Sequence, residues 1–143
     1  MEGVSRSRGA CRECRRFPPQ VRDRRRRKKL IDALVWQSDW GESIDAIINA
    51  AEAAGIPLAD LPCVLSRVDP EPHLGFEWRA FAELRTDRPV GLDLGAIPWS
   101  SIDAFAIRHG IAGDEFERFC RLIRALDIAE RAYIREHRSN AQS

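Results

Sequence analysis

Apolar side chains recur at intervals of three and four residues through most of the chain, and this period predicts helices rather than strands. Leu30, Ile31, Leu34 and Val35 give the first stripe, in a stretch free of Gly and Pro from about Val21 onward. Its N-terminal half is a run of Arg and Lys that repels itself at i, i+4 and opposes the helix macrodipole, so order is expected to begin nearer Leu30. Ile44, Ile47, Ile48, Ala51 and Ala54 form a second stripe, which Gly55 is placed to end as a C′ residue. Leu74, Trp78, Phe81 and Leu84 line a third, with Glu77, Arg79 and Glu83 off it.

The fourth helix is short. In "WSSIDAFAIRHG", Ser100 reads as the N-cap, Asp103 as the acid of a capping box and Gly110 as the stop. Trp99 then reads as the N′ residue of a hydrophobic staple, packed into the core, with an exposed apolar patch that receives a partner as the rival reading. The last stripe runs from about Asp114 to His137 through Phe116, Phe119, Cys120, Ile123, Leu126 and Ile134. Two irregular connectors separate these elements. "IPLADLPCVLSRVDPEP" is expected to pack its Leu58, Leu61, Val64 and Leu65 over the core, and "RPVGLDLGAIP" carries two Pro and two Gly. Period-2 alternation is lacking. The fold expected is all-α: a small bundle of four to five helices with irregular Pro/Gly-rich connectors and a basic, disordered N-terminal arm. Its divisions are an arm at 1–29, a helical domain at 30–137 and a frayed tail at 138–143.

Charge sharpens that division. Residues 1–29 hold 12 Lys/Arg against Glu2, Glu13 and Asp23, a net of +9, whereas residues 30–143 hold 11 against 19 Asp/Glu, a net of −8. The overall +1 therefore conceals a basic arm on an acidic body. Any nucleic-acid contact rests on Arg24, Arg25, Arg26, Arg27, Lys28 and Lys29, which would bind phosphates without reading sequence, since no aromatic residues are interleaved for base stacking. A hydrophobic fraction of 44% with 31% charge suits a soluble globular chain, and no apolar run is long enough for a bilayer. No secretory leader is expected, because no apolar segment follows the first basic residues.

Candidate chemistry is sparse. Cys11 and Cys14 form a C-x-x-C, half of a tetrahedral zinc site. The other half would have to come from Cys63, His73, His109 or Cys120, which contain no second short-spaced pair, and no metal or other cofactor is expected. Phosphate loops, nucleophile elbows and H-E-x-x-H are missing from the sequence, so an enzyme is not expected either.

The stretch from Ala50 to Tyr133 resembles small phage proteins encoded between the tail-tube and tape-measure genes, the tail assembly chaperones. Trp78, Phe81, Leu84, Thr86 and Arg88 match a W-x-A-F-x-x-L-x-T/S-x-R element. Ile97, Pro98, Trp99, Ser100, Ile102 and Asp103 match I-P-W-S-x-I-D, and Phe119, Ile123, Arg124, Ala125, Leu126 and Asp127 match a final F-x-x-x-I-R-A-L/M-D helix. The resemblance leaves out residues 1–29. It implies a non-enzymatic assembly factor of the host cytoplasm that binds tape-measure and/or tail-tube protein. An apolar helical groove would do this, with Trp78, Phe81, Trp99, Ile102 and Phe105 as its partner-binding residues. The alternative is a small nucleic-acid-binding protein of a mobile element, acting through the arm.

Overall fold

The computed structural model describes residues 19–142. It contains α1 (Pro19–Trp40), α2 (Ile44–Ala53), a single-turn α3 (Pro62–Leu65), α4 (Gly75–Leu84), α5 (Trp99–Arg108) and α6 (Gly113–Ala141). Short 3₁₀ turns flank α3 and α4, and no strand forms among the described residues beyond an isolated bridge between Val90 and Leu94. The all-α expectation holds. Five helices have ten residues or more, and the sixth is one turn within the first connector.

α1 and α6 form the spine. Asp23 meets Arg121 at 3.6 Å near one end, and the Tyr133 hydroxyl donates to Asp39 Oδ1 at 2.6 Å near the other. These contacts advance in the same order along both helices, so α1 and α6 run in the same direction. Between them lies the main core: Leu30 and Leu34 from α1, Ala80, Phe81 and Leu84 from α4, Ile102 from α5, and Phe119, Cys120, Ile123 and Leu126 from α6. Leu74 and Ile97 seal its edges. Each Leu, Ile and Phe among them contributes about 1.5–3 kcal/mol relative to exposure, which makes this cluster the larger source of the fold's stability.

A second, smaller cluster joins Ala51, Leu61 and Cys63 to the partly buried Trp40, Ile44, Ile47 and Val64. The first connector therefore builds a separate packing unit instead of covering the main core, and Leu65 stays 73% exposed. Trp36 ties the two together, donating its indole N–H to the Cys63 carbonyl at 3.0 Å.

Boundaries differ from expectation in three places. The helix begins at Pro19, well before Leu30. Lys28 pairs with Asp32 one turn on, Lys29 with Glu71, and Asp23 with Arg121, so part of the repulsion in the basic run is offset by acids. α6 continues through the expected tail to Ala141, where Arg138 reaches Asp93 at 3.5 Å. Ser100 is not the N-cap of α5. Pro98 takes that position with extended backbone, Trp99 is the first helical residue, and the hydroxyl of Ser101 donates to Asp87 instead. Gly110 stops α5 as expected, at φ +67°.

Candidate functional site

After α4 the chain crosses onto the flank of α6, and charged side chains hold it there. Arg88, 7% exposed, donates from Nε to Asp127 Oδ1 at 2.9 Å and from Nη1 to Glu130 Oε2 at 2.5 Å. Its Nη2 sits 2.8 Å from the same Asp127 oxygen without the alignment of a hydrogen bond. Arg85 reaches Glu130 Oε1 at 2.7 Å, and Arg131 reaches Asp127 Oδ2 at 3.0 Å. The Ile97 amide also donates to Asp127 at 3.3 Å, while Arg124 donates to the Ile97 carbonyl at 2.7 Å. Two fully desolvated acids are thus surrounded by three guanidiniums and a backbone N–H. Such a cluster is tolerated because every charge has a partner, and it fixes the register of the crossing segment on α6.

That segment carries an apolar tip. The Gly95 amide donates to the Pro89 carbonyl at 3.0 Å and closes a tight loop. A Cβ at Gly95 would lie 2.6 Å from the Pro89 ring, so the closure needs glycine. Val90 and Leu92 project from it, 84% and 107% exposed. Asp93, at the same tip, faces Arg135 at 3.9 Å and Arg138 at 3.5 Å on α6.

Trp99 follows directly. Its ring packs edge-on against Phe116 at 5.7 Å, and the Arg124 guanidinium lies over its face at 5.8 Å. The indole nevertheless remains 54% exposed, so it is a surface residue and not the core staple expected. Starting the helix at Trp99 is the physical reason: the side chain leaves from the first helical turn and lies along the outside of α6. Ile128, one turn beyond Arg124 on α6, is 60% exposed. Arg124 thus has the Trp99 ring against its guanidinium and an exposed apolar side chain one turn further along α6.

The other expected partner-binding residues lie elsewhere. Phe81 and Ile102 are core side chains, 2% and 0% exposed, and cannot receive a partner without unfolding. Trp78 and Phe105 are half-buried against the same core. Phe105 stacks on Phe119 at 5.8 Å and lies 4.2 Å from the His109 ring, with Phe76 tilted against it at 6.1 Å. These five residues do not share one open face. Of the set, only Trp99 presents most of its side chain to solvent.

Arg24, Arg26 and Arg27 of α1 face Arg118 and Arg121 of α6 across a cleft of ≈ 460 Å³. Asp23, Glu77 and Leu122 complete its walls. Arg25 lies on the same helix, and Lys28 and Lys29 are engaged by Asp32 and Glu71. Cys11 and Cys14 lie outside the described residues. Cys63 and Cys120 belong to different clusters, and among the described residues no group of three or more His, Cys, Asp or Glu is gathered as a metal ion would need. Burial pushes the Cys120 thiol above its ordinary pKa, the opposite of an activated thiolate.

The charged clamp is the part that the sequence reading missed, although its signal is present. Asp127 and Glu130 each follow a core residue, Ile123 and Leu126, by four positions, so helical geometry puts both acids on the buried face. An acid there requires a buried cation. Arg88 and Asp127 also close the first and third elements of the pattern quoted above, and the fold brings them together.

A family model for the phage tail assembly chaperones matches residues 56–132, just over half of the chain. The match starts in the first connector and includes the clamp, the apolar tip and Trp99. No curated protein and no solved structure matches the chain.

Proposed function

The chain belongs to the phage tail assembly chaperone family, and from that premise we propose that it binds tape-measure and/or tail-tube protein in the host cytoplasm through the apolar surface around Trp99. The observation that carries this reading is a tryptophan left half-exposed although Phe116 packs on its edge and the Arg124 guanidinium lies over its face. Large aromatic residues with an arginine over the ring are the side chains that dominate binding energy at protein interfaces. Leu92 and Val90 project from a loop pinned by the clamp, so they reach solvent without the entropy cost of ordering a free loop. A tape measure is a long helical chain with an apolar stripe, and spaced anchors of this kind suit one face of a helix. Modest affinity per copy, multiplied along the chain, gives coating that can still be released.

The family is non-enzymatic in general, which agrees with the lack of a catalytic motif in the sequence. No helix among the described residues is long and apolar enough to cross a membrane.

Co-expression of the full chain with a tape-measure fragment, and separately with the tail-tube subunit, tests the proposal. Co-purification with either is the expected result, and Trp99→Ala is expected to weaken it by at least tenfold in titration calorimetry while leaving the far-UV circular dichroism unchanged. Equal binding by the Trp99→Ala and Leu92→Ser variants would place the interface elsewhere. Binding to neither protein would overturn the partner assignment.

A further inference from the structure

The arginine cleft between α1 and α6 is not accounted for by the chaperone surface, which lies around Trp99 and the 85–98 crossing. Arg24 and Arg27 stand one turn apart on α1, and Arg118 and Arg121 stand one turn apart on α6. With Arg26 they bring five guanidiniums to a cleft that holds two acids. Among the described residues, Arg24, Arg26, Arg27 and Arg118 have no ion pair, and Arg121 has only the 3.6 Å contact with Asp23. Glu77 forms no ion pair with any of them, and its Oε2 is buried at the cleft and receives no hydrogen bond. Massed like charges on facing helices destabilise a fold unless an anion offsets them.

We infer that this cleft binds the phosphodiester backbone of nucleic acid, without reading sequence. Guanidinium rows suit phosphate oxygens, which they grip in bidentate fashion. The lining has one apolar side chain, Leu122, and no aromatic residue. Base stacking is therefore not part of the contact, and the apolar anchors that an acidic protein segment would need are missing as well. The site is bipartite. It depends on α6 as much as on the basic run of α1, and that distinguishes it from a charged tail.

Fluorescence anisotropy of a labelled ~20-base-pair duplex of arbitrary sequence, titrated with the full chain at several salt concentrations, tests this. Binding is expected to fall linearly in log–log form with salt. Arg118→Ala with Arg121→Ala should weaken it by roughly 10- to 100-fold at 0.1 M salt and lower the slope by up to about 2. Arg118→Lys with Arg121→Lys should keep the salt slope but lose part of the affinity, since lysine keeps the charge without the bidentate grip, and Glu77→Gln should tighten binding severalfold. Both α6 arginines are exposed, so circular dichroism is expected to be unchanged. Unaltered affinity and slope in the double Ala variant would overturn the bipartite cleft in favour of α1 alone. Equal competition by poly-glutamate of matched charge would overturn the nucleic-acid assignment in favour of an acidic protein. Displacement by millimolar pyrophosphate as effective as by duplex would reduce the site to one for free phosphates, and absence of binding at 50 mM salt would end the proposal.

Discussion

Tyr133 donates its hydroxyl hydrogen to Asp39, and ionising the phenol would both break that bond and set two anions together. Its pKa is accordingly pushed up to about 12, the hydrogen bond being the largest cause. The sign follows directly. The bond's contribution to stability is fully present below the ordinary phenol value of about 10 and disappears as pH rises through about 12. Tyr133 is the only tyrosine in the chain, so phenolate absorbance reports on it alone. The expected titration midpoint is near 12 in the native protein and near 10 after denaturation. Asp39→Asn should lower the native midpoint; a native midpoint already near 10 would show that the α1–α6 bond does not persist in solution. Trp99 teaches a different lesson at this scale. Its neighbourhood in sequence suggested a buried staple, yet where a helix starts by a single residue decides which way the ring leaves.

Among the elements, the crossing from α4 to α6 is held by charge where the rest of the bundle is held by apolar packing. Removing Arg88 leaves Asp127 and Glu130 desolvated with fewer donors. Arg88→Met should therefore cost about 3–5 kcal/mol, read as a lower denaturant midpoint at an unchanged slope. Loss of under about 1 kcal/mol would mean that Arg85 and Arg131 hold the acids without it. The helices themselves were legible, because the stripes at Leu30, Ile47, Phe81 and Ile123 follow the helical period whatever they pack against. Their ends were less so. Pairing such as Asp23 with Arg121 and Arg138 with Asp93 joins residues more than forty positions apart, and it falls on the parts of α1 and α6 that extend beyond their local signals. The candidate site was half legible for the same reason. The I-P-W-S-x-I-D segment pointed to Trp99, but period alone could not separate Phe81 and Ile102, which face inward, from a groove.

At the scale of the whole molecule the two clusters are unequal. The smaller has three buried residues, of which one is alanine, and its link to the rest runs through α1 and the Trp36–Cys63 hydrogen bond. Amides of α2 are expected to exchange through a partial opening well below the free energy of global unfolding, whereas those around Leu30–Leu34 and Phe119–Leu126 should exchange only with it. Native-state hydrogen exchange at increasing denaturant checks this, and a single common free energy for both groups would mean one cooperative unit.

The parallel pairing of α1 with α6 has a consequence for the timing of synthesis. Leu30 and Leu34 find their partners at Phe119, Ile123 and Leu126, some ninety residues later. An all-helical chain ordinarily folds early through local contacts, but here the core around the first helix is complete only once the sixth has emerged. Until then part of its apolar stripe lacks its α6 partners beside the arginine run, and the nascent chain closes fully only when the last helix lies down alongside it.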